Sequence, residues 1–153
     1  MTVLTHRKHK RDNRAGFGRS QLIKNERQYL ITKAQFSRFV RTLEGLSEEV
    51  GVHPLILKAQ NDAVRSQLCD LEADLREYES LKAGEFKLDQ LKTVKEIPTM
   101  LIKARIAQGL SQKNLAERLG LREQQIQRYE ATDYASARLS RIREVAGALG
   151  VGD

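Results

Sequence analysis

The sequence contains no tryptophan, one cysteine and two prolines among its 153 residues. The single Cys69 excludes a disulfide within the chain and a zinc site built on cysteines, and the three histidines have no metal-ligand spacing. No apolar run approaches the roughly 20 residues that span a bilayer, and no apolar stretch follows the basic N-terminus as in a secretory signal. We therefore expect a cytoplasmic protein that uses no metal or other cofactor.

The sequence is rich in residues that favour helices, namely Leu, Ala, Glu, Gln, Lys and Arg, and it has few stretches in which β-branched residues alternate with polar ones. This composition predicts an all-α fold. The net charge of +7 is distributed unevenly. Residues 1–20 hold six basic and one acidic side chain (+5), residues 21–83 hold nine and ten (−1), and residues 98–153 hold nine and six (+3). A basic balance favours polyanionic partners without identifying one.

The first half of the chain predicts a tail followed by a helical hairpin. Residues 1–20 are expected to form a disordered basic tail, either an arm that touches DNA or a solvated extension. The first helix is predicted to begin at Thr32, because Thr32 and Gln35 have the spacing of a capping box. Pro54 suits the first turn of a second helix, which should run to about Leu81.

The second predicted helix carries a heptad seam, in which spacings of four and three residues alternate. The seam comprises Leu57, Asn61, Val64, Leu68, Leu71, Leu75 and Tyr78. The shorter first helix can cover only its first part. A second copy of the chain, a partner protein or residues 22–31 could cover the rest. Residues 21–83 are thus interpreted as a coiled-coil-like hairpin with a dimer or partner interface at Leu68, Leu71, Leu75 and Tyr78, and residues 84–97 as a connecting segment.

The last third of the chain has the spacing of a helix-turn-helix unit. Leu115 and Leu119 give one helix an apolar face, and the small Ala116 permits the next helix to cross closely. Gly120 follows where a left-handed backbone conformation is needed. Ile126 then faces inward from the next helix. A supporting helix opened by Pro98 and Thr99 and a closing helix ending at Gly150, capped by Ser136 or Ser140, complete a four-helix domain over residues 98–153.

These residues resemble the phage-repressor/Cro (XRE) family of helix-turn-helix proteins. The resemblance rests on Ser111-Gln112, Leu115-Ala116, Leu119-Gly120-Leu121, Ile126, Tyr129-Glu130 and the terminal Ala148-Leu149-Gly150-Val151. It implies that the third helix of the domain enters the major groove of DNA while the second crosses the phosphate backbone. It also implies that Arg105 and Glu130 form a structural ion pair. The sequence departs from the family at residues 131–134, where a turn containing glycine is usual.

The resemblance assigns DNA-binding roles residue by residue. Gln112 matches a phosphate-clamping position and Arg138 a backbone-contact position. The exposed reading positions are Arg122, Glu123, Gln124, Gln127 and Arg128. By the chemistry of base edges, Gln124 suits adenine, Arg122 or Arg128 suits guanine or phosphate, and Glu123 can accept from cytosine.

The first half also resembles HigA-type antitoxin-like regulators, through Asn25-Glu26-Arg27-Gln28-Tyr29 and Ile31-Thr32-Lys33. Together the resemblances imply a dimeric, sequence-specific repressor of double-stranded DNA with a palindromic operator. The second resemblance also implies an antitoxin that neutralises a small toxin and represses its own operon. The alternative is a protein-interaction module whose DNA binding is secondary or lost. An enzyme is not expected, since no catalytic constellation or phosphate-binding glycine loop is present.

Overall fold

The computed structural model describes residues 21–87 and 93–151. The predicted basic tail and the middle of the connecting segment lie outside these residues. Every regular element in the described part of the chain is helical, which confirms the all-α prediction. The six α-helices of these residues are α1 (Glu26–Leu46), α2 (Pro54–Lys82), α3 (Ile97–Ala107), α4 (Gln112–Leu119), α5 (Glu123–Ala131) and α6 (Leu139–Ala148). A short 3-10 helix at Val94–Glu96 directly precedes α3.

Helix α1 begins six residues before the predicted start, and the prediction of Thr32 as its cap is wrong. The cap is Asn25, whose side chain accepts a hydrogen bond from the Gln28 backbone N–H (2.9 Å). Gln28 reaches back and accepts from the Lys24 backbone N–H (2.8 Å). Thr32 instead donates its hydroxyl to the Gln28 carbonyl one turn earlier (2.9 Å), as threonines inside helices commonly do.

Helix α2 agrees with the prediction, with Pro54 in its first turn and its end at Lys82. The two helices form a hairpin, and at its base the ring of Tyr29 stacks on that of Tyr78 with centroids 5.1 Å apart. The Tyr78 hydroxyl donates to Glu26 Oε2 (3.1 Å). Burial, helped by this bond, raises the pKa of Tyr78 to about 12.

The end of the heptad seam is covered by the chain itself. Leu75 and Tyr78 are buried in one core cluster together with Ile23 and helix α3. Residues 22–31, one of the three covers considered from the sequence, therefore supply part of this contact. The assignment of Leu75 and Tyr78 to a partner interface is corrected accordingly, because neither side chain is available at the surface. Leu68 and Leu71 are half-buried.

Helix α6 begins without a side-chain cap. Its N-cap residue is Arg138, which corrects the expectation of Ser136 or Ser140. The unusual turn before it contains two non-glycine residues with positive φ, Asp133 (+47°) and Tyr134 (+58°). The buried Tyr134 ring stacks against Tyr129 with centroids 5.9 Å apart. This packing supports the left-handed backbone that glycine usually provides.

Candidate nucleic-acid interface

A buried ion pair lies at the centre of the C-terminal helices. Arg105 on α3 donates from Nε to Glu130 Oε1 (2.6 Å) and from Nη2 to Oε2 (2.9 Å). The two residues are 3% and 0% exposed. Arg105 also donates to the Leu110 carbonyl just before α4 (2.7 Å). The predicted structural pair is confirmed, and it joins α3, the start of α4 and the end of α5.

The turn between α4 and α5 has the predicted geometry. Ser111 caps α4 by accepting from the Asn114 backbone N–H (3.0 Å). Leu115 and Ala116 are buried, as the close crossing of α5 requires. Gly120 adopts φ +65°, and the Leu121 N–H then donates to the Ala116 carbonyl (2.9 Å). The left-handed residue therefore lets the chain turn from α4 into α5 within three residues.

Helix α5 separates a buried face from an exposed polar face. Ile126 and Glu130 point into the core. The side chains predicted to read DNA are all exposed: Arg122, Glu123, Gln124, Gln127 and Arg128. Within this set, Gln127 Nε2 donates to Glu123 Oε1 (3.1 Å). Arg138, at the start of α6, is also exposed.

Gln112 occupies a different environment from the other predicted contact residues. It is only 7% exposed, and its Nε2 donates to Glu130 Oε2 (2.7 Å). An amide nitrogen carries two hydrogens, so one donor remains for another partner. Gln112 is also the first residue of α4, where backbone N–H groups lack partners within the helix and favour anions. Contact with phosphate through Gln112 remains a prediction.

Residues 21–87 and 93–151 contain neither a metal-binding cluster nor a membrane-spanning helix. No group of three or more His, Cys, Asp or Glu side chains among them could hold a metal ion. None of their helices has the length and apolar character required to cross a membrane.

Comparison with known families identifies the C-terminal segment. Residues 101–152 match a family model described as helix-turn-helix, a match that begins within α3 and includes α4, α5 and α6. This segment is therefore a helix-turn-helix domain of the XRE type, and such domains are the DNA-binding modules of transcription regulators. The match does not extend to the α1–α2 hairpin. No curated protein and no solved structure matches the chain.

Proposed function

We propose that the protein is a sequence-specific transcriptional repressor that binds double-stranded DNA through helix α5. The observation that carries this proposal is the exposed polar face at the start of α5, held on a buried scaffold. In this role Gln124 reads adenine, and Arg122 or Arg128 contacts guanine or phosphate. Glu123, which accepts from Gln127, receives a hydrogen bond from cytosine. Gln112 and Arg138 contact the backbone and set the orientation of the domain.

The repressor acts as a dimer on a palindromic operator. Two half-sites supply the affinity that one small domain lacks, since each domain offers few base contacts. The hairpin is the element available for association, because Leu68 and Leu71 are only half-buried and Leu55 and Ile56 are exposed. The same exposed side chains, with Val50 at the hairpin tip, also suit a small protein partner, as in an antitoxin.

Selection of bound duplexes from a random pool tests the proposal. The wild type should recover a palindrome, and Gln124→Ala should weaken binding to it by about 5- to 150-fold, corresponding to about 1–3 kcal/mol for a lost base contact. The control is Gln60→Ala, which removes the same exposed amide from α2, away from the candidate interface. Recovery of no common sequence, with binding that only fades as salt rises, would contradict sequence-specific recognition.

The antitoxin role requires a separate test. If a neighbouring small gene encodes a toxin that the hairpin neutralises, expression of that gene alone should inhibit growth, and co-expression of this protein should restore it. Persistent growth inhibition would exclude this role and leave the repressor proposal intact.

A further inference from the structure

A cleft lies between the start of α1 and the helix-turn-helix domain. Its volume is about 640 Å³. One wall includes Arg27, near the start of α1. The lining contributed by the helix-turn-helix domain includes Gln112 at the start of α4 and Glu123 and Gln127 on α5. The hairpin, which the family match does not cover, thus lies beside the proposed DNA-reading surface.

Hydrogen bonds from both sides hold the start of α1 in this place. Arg105 Nη2 donates to the Lys24 carbonyl (2.5 Å), so the residue that stabilises the helix-turn-helix core also binds the chain entering α1. Lys24 Nζ donates to the Glu130 carbonyl (2.6 Å) and to Asp133 Oδ1 (2.7 Å). Because Asn25 caps α1 directly afterwards, the position of Arg27 relative to α5 is set by these bonds.

The charged side chains that line the cleft differ in their pairing. Lys24 and Arg105 pair with Asp133 and Glu130. The lining carboxylates of Glu26 and Glu123 accept hydrogen bonds from the neutral side chains of Tyr78 and Gln127, and neither forms an ion pair among the described residues.

Arg27 and Lys82 also line the cleft and are exposed. Neither forms an ion pair within residues 21–87 and 93–151. Two cations without an ion pair among the described residues therefore line the same cleft as Gln112, the residue whose contact with phosphate is proposed above.

We propose that Arg27 and Lys82 bind backbone phosphates of the duplex next to the half-site read by α5, so that the hairpin extends the DNA-binding surface. This inference rests on the proposed function: Gln112, Glu123 and Gln127 of the proposed interface line the same cleft as Arg27 and Lys82, so a duplex seated on them would bring its backbone near both cations. Cations at such positions neutralise phosphates and release counterions, which strengthens binding without adding sequence preference.

The test compares two double variants that remove the same charge. Arg27→Ala with Lys82→Ala alters the cleft, whereas Arg38→Ala with Arg65→Ala removes two exposed arginines of the hairpin that do not line it. The affinity of each full-length protein is measured over a range of salt concentrations. The probes are the duplex selected by the wild type and an unrelated duplex.

The cleft variant should reduce the slope of log affinity against log salt by about 0.9 for each lost contact, or about 1.8 in all. Binding should weaken by a similar factor on both duplexes, whereas the control variant should keep the wild-type slope. Arg27→Lys, which keeps the charge, should retain the slope of the wild type. Ethylation interference should mark phosphates outside the half-sites with the wild type and lose these signals in the cleft variant.

The outcomes separate the two proposals. If the wild type binds DNA and the cleft variant has the slope of the control, the role of Arg27 and Lys82 is refuted while sequence recognition by α5 stands. If the wild type binds no duplex, both proposals fail. Thermal unfolding of each variant verifies folding, and replacement by Gln in place of Ala provides a second pair if either alanine variant unfolds.

Discussion

Removal of one partner from the buried Arg105–Glu130 pair should strongly destabilise the protein. Arg105→Met keeps much of the side-chain volume but leaves the Glu130 carboxylate in the core with the Gln112 amide as a donor. The carbonyls of Lys24 and Leu110 lose a donor as well. Breaking such a pair costs about 3–5 kcal/mol, because a charge remains buried without compensation. For a chain of this size the loss corresponds to a drop of about 6–20 °C in the unfolding temperature.

Urea unfolding followed by circular dichroism measures this loss against two controls. Glu144→Gln breaks the exposed Arg141–Glu144 pair (2.5 Å) and should cost less than about 1 kcal/mol. The double variant Arg105→Met with Glu130→Leu removes both charges and should recover most of the stability, since apolar residues of similar volume often replace a buried pair without loss. The reasoning is refuted if Arg105→Met costs no more than Glu144→Gln, or if the double variant is no more stable than the single one.

Three further predictions concern the free energy of unfolding, each measured by the same assay. Gly120→Ala should cost about 1–2 kcal/mol, because the backbone φ at this position is +65°. Gly147 lies inside α6 with open space where a Cβ would be added, so Gly147→Ala should gain about 0.5–1 kcal/mol. Equal effects of the two substitutions would contradict the conformational argument. Tyr134→Phe should gain about 1 kcal/mol, since this hydroxyl is buried with no hydrogen-bond partner in the described part of the chain, and a loss of stability would reveal a partner. Ile23→Ala should cost about 2–5 kcal/mol and lower the urea midpoint of a single unfolding transition that the hairpin and the helix-turn-helix domain share. Leu30→Ala, at an exposed position, should be nearly neutral. Two separate transitions would contradict a shared core.

The geometry of the helix-turn-helix turn was predictable because steric rules act there over a few residues. Gly120 is needed where the backbone is left-handed, and Ala116 where two helices cross closely. The Arg105–Glu130 pair was predictable only through family resemblance, since the two residues lie 25 positions apart. The burial of Gln112 was not predicted, because its hydrogen-bond partner Glu130 lies 18 positions away in the sequence.

The start of α1 was mispredicted because the sequence offers two similar capping patterns. Thr32 with Gln35 and Asn25 with Gln28 both place a short polar residue three positions before a glutamine. Local rules cannot choose between them. The earlier start places Tyr29 on the helix, where it stacks on Tyr78, and this tertiary contact favours the longer helix.

The contact between residues 21–25 and the rest of the fold depends on partners that are distant in sequence. An irregular segment has no periodicity to reveal which side is buried. The Gln21 backbone N–H donates to Asp74 Oδ1 (3.0 Å) across 53 positions, and Lys24 reaches Glu130 across 106. Leu75 and Tyr78 are buried in the same core cluster as Ile23 of this segment, so they are not available to another molecule. Any association through α2 would therefore use its less buried side chains, namely the half-buried Leu68 and Leu71 and the exposed Leu55 and Ile56.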